Sequence, residues 1–459
     1  MAFPSAYWPD KSERRLLGRF YYSVGISEVL NIIMPFRFVY LYMVMHRPEW
    51  AVIPLLVESA TILIMEIPTG VVADRWGRKL SVIAGGCLYS LSLLLVPLAV
   101  IYEASDQLWA VCLCFIISGL GQTLVSGAEE AWVVDNLSSA QRRDLIDQYF
   151  ARIQSFASVG GVMAGLIALV ILVSVDVTRG LLDFLWYMAA FGLFISMLVA
   201  TTIPENRPIE HVSKIEVKSF LQRIINGFQI ILHSRPLLFL TVATVIATFS
   251  GSVADEAFDI SMITKGLDAR ALSPLGIVVD MIGVVAPLIG VVLARHYGAS
   301  TVLGWFLILP AILVCTFFFQ PALWVIVVLY LLLAFFDGVW DPVASAKLHN
   351  MISSATRATV GSTVNQLGGM ANLAGIGMFA LFLGDHSDAM QQATPDLLEA
   401  FSGGQSTHVD VPLSLFGLPV PDLAIVVFVL AGLLAVPFLL FGFSDKGSGK
   451  NATTMDSEP

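Results

Sequence analysis

Runs of about twenty or more mostly apolar residues recur along this chain, long enough as helices to cross the ~30 Å hydrocarbon core of a bilayer. They fall near 20–44, 50–72, 80–102, 109–134, 148–174 and 181–203, then near 236–263, 273–294, 300–319, 322–347, 359–384 and 422–443. Membrane strands would alternate in polarity over about ten residues instead. The expected fold is therefore all-α and integral to the membrane, with twelve transmembrane helices in two six-helix halves. The organisation follows: an N-terminal segment 1–19, a bundle 20–203, a linker 204–235, a bundle 236–443 with a long loop over 385–421, and a tail 444–459. Composition agrees: 57% of residues are hydrophobic and 13% charged, where soluble domains carry about 25% charged. Residues 444–459 read as a disordered tail.

Charge sets the orientation. Of the 25 Lys and Arg residues, nineteen fall on the side that holds both termini, and only Arg47, Arg179, Lys265 and Arg270 on the other. The positive-inside rule then places both termini in the cytoplasm of a cell that carries the chain in its plasma or inner membrane. The first nineteen residues, with Lys11, Arg14, Arg15 and Arg19, are too mixed for a cleavable signal peptide. Cys87, Cys112, Cys114 and Cys315 lie in apolar runs and read as small hydrophobes, with neither disulfide nor metal spacing. A net charge of −10 over 459 residues gives no reason to expect nucleic acid as a partner.

The stretch GVVADRWGRK, residues 70–79, concentrates charge between the second and third helices. Its order, Gly70-x-x-x-Asp74-Arg75-x-Gly77-Arg78-Lys79, resembles the signature of the major facilitator superfamily and falls in the same loop. Asp135 and Arg142 after helix four and Pro204-Glu205 at the end of helix six fit the same family. The second half repeats the punctuation. Gly290-x-x-x-Ala294-Arg295-x-x-Gly298 lies 220 residues on, without the acid, and Asn350 and Arg357 lie 215 residues after Asp135 and Arg142. The resemblance implies a latch: Asp74 bonding Arg78 or a helix N-terminus, Arg75 and Arg78 reaching acids or carbonyls, Asp135, Arg142, Arg295 and Arg357 extending the network, and Gly70 and Gly77 allowing close approach and a tight turn. It also implies alternating access, with the substrate between the halves near the midplane.

Charge within a bilayer costs about 2.5–3.5 kcal/mol per residue even on insertion scales. Acids nonetheless lie within the spans at Glu28, Glu58, Glu66, Glu129, Glu130, Asp255, Glu256, Asp259, Asp280, Asp337 and Asp341, against Arg37 and Arg152. Depth along the helices matches Arg37 with Glu58 and Arg152 with Glu130 as structural ion pairs. Glu28, Asn31, Glu66, Glu129, Asp255, Asp280, Asp337 and Asp341 are then the candidates for proton coupling or substrate contact. Glu28, Asn31 and Pro35 share a face of helix one by i, i+3, i+7 spacing. In the linker, Ser213 and Glu216 form a capping box ahead of an amphipathic pattern from Val217 to Ile231, the signature of an interfacial helix.

Glu66-Ile67-Pro68-Thr69-Gly70 and Gly127-Ala128-Glu129-Glu130-Ala131-Trp132 look like bacterial members assigned to drug efflux, although helix five lacks their Gly-Pro element and helix four their central arginine. The expected function is proton-coupled efflux of a small cationic or amphipathic compound by a monomeric secondary transporter. Uptake or exchange of a nutrient, metabolite or siderophore is the alternative, and a lipid flippase or a non-transporting sensor is the alternative of another class. No nucleophile–base pair, metal spacing or nucleotide loop is present in the sequence, so neither an enzyme nor a cofactor is expected.

Overall fold

The computed structural model describes residues 11–45, 48–102, 104–142, 145–174, 178–206, 217–264, 267, 271–318, 322–351, 357–385, 414–415 and 418–419, with the backbone alone at some, among them Asp74, Asp255 and Arg357. Helices account for nearly all of them. The first half holds α1 (Lys11–Leu30), α2 (Arg37–Val44), α3 (Ile53–Trp76), α4 (Arg78–Ala99), α5 (Ala104–Ser139), α6 (Ile146–Ser174) and α7 (Arg179–Thr201). Then follow α8 (Val217–His233), α9 (Arg235–Thr264), α10 (Leu272–Tyr297), α11 (Ala299–Phe318), α12 (Leu323–Met351) and α13 (Arg357–Asp385). Eleven of the expected spans coincide with these helices. The twelfth, 422–443, lies outside the described residues, as does the 385–421 loop except for an antiparallel ladder of Ser414–Leu415 with Leu418–Pro419. The capping-box residues Ser213 and Glu216 and the 444–459 tail lie outside them too.

Among the described residues, five helices are long and apolar enough to cross a membrane, or six when α8 and α9 count as one bent span. Proline sits inside several, at Pro68, Pro97, Pro287, Pro310 and Pro342. Membrane helices tolerate it because nearby side chains serve the freed backbone. Thr69, beside Pro68, donates its hydroxyl to the Met65 carbonyl of the same helix at 2.7 Å. Thr61, Thr241, Thr244 and Thr316 satisfy their hydroxyls on the carbonyl four residues back in the same way.

Helix one departs from its expected form twice. It begins at Lys11 rather than near residue 20, and it breaks after Leu30, where a 3-10 turn over Met34–Phe36 separates α1 from α2. Pro35 lies in that turn; it lacks an N–H and its ring crowds the preceding turn of helix. The face expected to join Glu28, Asn31 and Pro35 therefore ends at Asn31.

The chain forms two compact units, one of Met1–Gln222, Asp255–Val284 and Asn372–Pro412, the other of Arg223–Ala254, Val285–Ala371 and Leu413–Pro459. In the first, α5 packs on α3 and α4, α4 on α7, and α1 on α6 and α7. Glycines allow these crossings. A Cβ on Gly85 would lie 2.6 Å from the Gly121 carbonyl oxygen, and one on Gly121 would lie 2.7 Å from that of Gly85, so α4 and α5 touch backbone to backbone. At the end where α3 gives way to α4, called the signature end below, the core gathers Leu17, Phe20, Trp132, Val133, Leu137 and Tyr149. Phe20 meets Trp132 edge-on at 5.1 Å between centroids, and Tyr21 stacks on Phe156 at 4.9 Å. In the second unit, α11 packs on α12.

The first unit draws in part of α10 because small residues on α6 receive it. Ser273 donates to the Gly165 carbonyl at 2.8 Å. Ile277 lies against Gly165, and Asp280 against Gly161, where an added Cβ would come within 2.5 Å of a carboxylate oxygen.

Candidate functional site

The signature turn is built on Gly77, which ends α3 and begins α4 with φ 117° and ψ 140°. Its N–H donates to the Ala73 carbonyl at 3.0 Å. The first N–H groups of α4 then need an acceptor, and Glu205 supplies it: Oε1 accepts from the backbone N–H of Arg78 at 2.9 Å and of Lys79 at 3.4 Å. An anion at a helix N-terminus is favoured by the exposed N–H groups and the helix dipole together.

The side chains close the rest of the network. The Arg78 guanidinium is ion-paired with Asp135 and donates to the Ala131 carbonyl at 2.7 Å. Lys79 Nζ donates to the carbonyls of Thr201 at 2.6 Å and Ile203 at 2.7 Å. Trp132 Nε1 and Asn136 Nδ2 both donate to the Pro204 carbonyl, at 3.0 and 2.9 Å. Arg19 Nη1 reaches the Thr202 carbonyl at 2.5 Å. One polar layer thus ties the ends of α1, α4, α5 and α7 together.

Of the other residues expected in the latch, Arg75 is exposed, and Asp74 and Arg357 have side chains outside the described residues. Gly70, expected to permit close approach, is exposed, with no atom within 4 Å of an added Cβ. Arg142 lies in a turn entered through Gln141 at φ 56°, its N–H bonded to the Leu137 carbonyl at 2.9 Å. Arg295 is exposed in the last turn of α10.

Two further polar clusters lie deeper in the bundle. Arg37 is ion-paired with Glu58, which also accepts from Ser118 and, at 2.8 Å, from Gln122 Nε2. The guanidinium sits 4.8 Å from the Phe115 ring centroid. Arg152 differs from its expected pairing: it is ion-paired with Glu13, which Tyr21 also bonds at 2.9 Å, while Glu130 lies exposed on α5. Glu13 belongs to the stretch that the sequence presents as a polar N-terminus, and only the early start of α1 brings it inside. Asp183 also escaped the sequence reading; it accepts from Tyr40 at 2.5 Å and lies 3.8 Å from Arg179.

Between α1, α4, α5 and α7 lies a cavity of about 270 Å³. Ser23, Ser27, Tyr89, Gln122 and Ser126 give it polar groups, Phe20 and Trp132 give it aromatic walls, and Glu129 is the one charged side chain among the described lining residues. Ser23 and Ser196 share a hydroxyl–hydroxyl bond of 2.7 Å in its wall. Neutral groups such as Tyr89 and Gln122 were not singled out as ligands by the sequence, because only charge stands out against an apolar run.

The remaining candidate acids occupy different places. Glu28, whose carboxyl bonds Asn31, lies within electrostatic reach of Asp280. Both lie against α6, Glu28 over Gly160 and Asp280 over Gly161. Asp337 and Asp341 occupy one face of α12 at i, i+4 spacing and are exposed, as is Glu66 on α3. The side chain of Asp255 lies outside the described residues. Among the described residues, no three His, Cys, Asp or Glu side chains converge as a metal site.

A search of curated protein sequences gives no match. Solved structures share the fold at low identity. A D-xylose–proton symporter is similar with a TM-score of 0.65 and 14% identity, over 93% of this chain and 98% of its own. A transporter of the POT family in complex with 5-aminolevulinic acid gives 0.63 and 13%, over 94% and 98%, and the nucleoside transporter NupG gives 0.61 and 13%, over 92% and 98%. The sequence profile of the Major Facilitator Superfamily matches residues 53–376. With the signature turn, the helix order and these likenesses together, the chain belongs to the major facilitator superfamily and is a multi-pass membrane transporter rather than an enzyme.

Proposed function

We propose that this transporter exports a small cationic or amphipathic compound in exchange for protons, by alternating access. On this reading it acts as a monomer in the plasma or inner membrane, with both termini cytoplasmic. The observation that carries the reading is Glu129, the one carboxylate among the described residues lining a cavity walled by Phe20, Tyr89 and Trp132. A carboxylate between aromatic rings suits an organic cation, which gains an ion pair and ring-face attraction at once. The same carboxylate suits exchange. Bare charge is costly at this depth, so a proton and an organic cation are alternative ways of neutralising it, and each displaces the other.

Gating falls to the signature layer, in which Arg78, Asp135 and Glu205 hold the ends of α4, α5 and α7 as one piece. Gly70, open in this conformation, is a surface on which a closing partner helix can seat. Glu28, Asp280, Asp337 and Asp341 are further proton or substrate positions.

A second reading, proton-driven uptake of a neutral polar solute, is favoured by the hydroxyl and amide groups that dominate the polar lining. The similar solved transporters named for D-xylose and for a nucleoside carry such solutes.

Everted vesicles, energised to be acid inside and loaded with a pH-reporting dye, separate the readings. Export by exchange predicts that organic cations release the proton gradient and that Glu129→Gln abolishes the response while membrane insertion is unchanged. In right-side-out vesicles, sugars or nucleosides that draw protons inward, with no response to organic cations in the everted ones, move the assignment to uptake. Silence across the organic cations, with folded protein present, rejects export by proton exchange.

A further inference from the structure

The polar groups around the cavity between α1, α4, α5 and α7 differ in where their hydrogens go. Gln122 on α5 is the clearest case. Its Nε2 donates to Glu58 Oε1 at 2.8 Å and to Ser118 Oγ at 3.2 Å. Glu58, ion-paired with Arg37, only accepts, and Ser118 gives it its own hydroxyl hydrogen. This fixes the amide in one orientation, because its oxygen turned toward Glu58 would meet a carboxylate. The amide hydrogens are thus committed to the protein. Oε1, without a partner among the described residues, is the atom still to be satisfied in a side chain that lines the cavity.

The other lining groups follow the same pattern. Ser27 donates to the Val24 carbonyl of its own helix at 2.8 Å. Ser23 donates to the Ser196 carbonyl at 3.1 Å, and the 2.7 Å contact between the two hydroxyls then takes up the Ser196 hydrogen. The indole N–H of Trp132 is committed to the Pro204 carbonyl. Glu129, when ionised, has no hydrogen to give. Among the described lining residues, only Tyr89 and Ser126 keep a hydroxyl hydrogen that no described bond takes up, and a hydroxyl accepts as well as donates.

What the cavity offers a guest is therefore chiefly lone pairs. We infer that the site reads hydrogen-bond donors: it takes a small primary or secondary amine with a further O–H or N–H at its far end, and it rejects a quaternary ammonium of the same size. This rests on the reading of the cavity as the substrate site. The ammonium belongs at Glu129 and the far donor at Gln122, seven residues away on nearly the same face of α5, about 10.5 Å along the helix. A volume of about 270 Å³ lies below the ~300–1,000 Å³ of pockets for drug-sized ligands, which favours a body of one ring. A quaternary ammonium keeps the charge and the attraction of the aromatic walls. It brings only C–H groups, however, so the acceptors it strips of water stay unpaired, which is the costly outcome for a buried polar group.

The test is binding of radiolabelled tyramine to the purified full chain at neutral pH, with two displacers. Phenethylamine lacks the far O–H, and N,N,N-trimethyltyramine lacks the ammonium N–H groups. The trimethyl compound should compete at least about tenfold more weakly than unlabelled tyramine, and phenethylamine about threefold or more. These ratios are read on the unaltered chain, so they depend on no variant folding. Gln122→Met should erase the difference between tyramine and phenethylamine while keeping that between tyramine and its trimethyl form, a split that a loss of packing alone would not produce. An undiminished difference in folded Gln122→Met overturns the role given to Gln122. Equal competition by all three amines, lost in Glu129→Gln, overturns the inference and leaves proton exchange of a cation standing. A chain that binds the quaternary cation tetraphenylphosphonium but not tyramine overturns it likewise, and a folded chain that binds none of these cations overturns both.

Discussion

The turn at Gly77 and the turn at Gly298 join equivalent helices of the two halves, and they share a backbone but not a chemistry. Each glycine has a positive φ, 117° and 86°. Each donates its N–H to an alanine four residues back at 3.0 Å, Ala73 in one case and Ala294 in the other. Around Gly77 this backbone carries Arg78, Lys79, Asp135 and Glu205 in a bonded layer. Around Gly298 the following residues are Ala299 and Ser300, and the hydroxyl of Ser300 is buried with no hydrogen-bond partner among the described residues.

The comparison also corrects the register of the repeat. The turn glycines are 221 residues apart, one more than the motif spacing, so Gly290 corresponds to Thr69 rather than to Gly70. Contacts agree: Thr69 bonds the Thr123 carbonyl of α5 at 3.2 Å, while Gly290 lies against Val339 of α12. Asp74 then corresponds to Arg295. A helix–glycine–helix turn forms without the acid, so the acid and its neighbours serve something other than the turn.

Arg78→Ala is the severest way to break this contrast. It strips an ion pair and a carbonyl bond from the layer, which costs about 1.5–3 kcal/mol for charged groups. Transport should fall at least about tenfold, read as gradient-driven flux beside a thermal unfolding curve, and retained flux would show the layer to be ornamental to gating. Gly77→Ala comes next. Its φ and ψ approach a region nearly reserved for glycine, at a cost of about 1–3 kcal/mol, and the strain should lower the unfolding temperature and flux together. Gly298→Ala should cost about 1–2 kcal/mol and leave flux per folded molecule within about twofold. Equal losses of flux from both glycine variants would erase the functional difference between the turns. Arg295→Ala and Ser300→Ala are the mildest. The first removes an exposed side chain and should stay within about 0.5 kcal/mol. The second removes a buried hydroxyl lacking a described partner and should be neutral or raise stability by up to about 1 kcal/mol.

Much of this architecture was legible in the sequence because a bilayer permits so few ways to satisfy a backbone. Run length located the helices, and position along them matched Arg37 with Glu58, which are ion-paired. What escaped was set by shape. Glu13 counts as a surface acid until α1 is seen to start at Lys11. Glu205 reads as the end of a helix, and its role as the acceptor for α4 follows only once Pro204 is seen to receive Trp132 and Asn136. The exposed position of Glu130, against the buried Glu58, depends on which side of α5 meets a neighbour, and an evenly apolar helix hides that side. Glu28 and Asp280 lie 252 positions apart in the chain. Nothing local links them except the glycines of α6 on which both rest.

Those adjacent glycines, Gly160 and Gly161, separate the two carboxyl-bearing side chains by bare backbone. The helix acts as a spacer one peptide thick, turning a corner of about 100° between Glu28 and Asp280. A single methyl group on either face would be a shim. At 160 it would press on the Glu28 Cβ and at 161 on the Asp280 carboxylate itself, changing the electrostatic conversation between the two acids without removing either charge. Alanine at position 160 or 161 is thus a dial on their coupling, and substitution of the acids is only a switch.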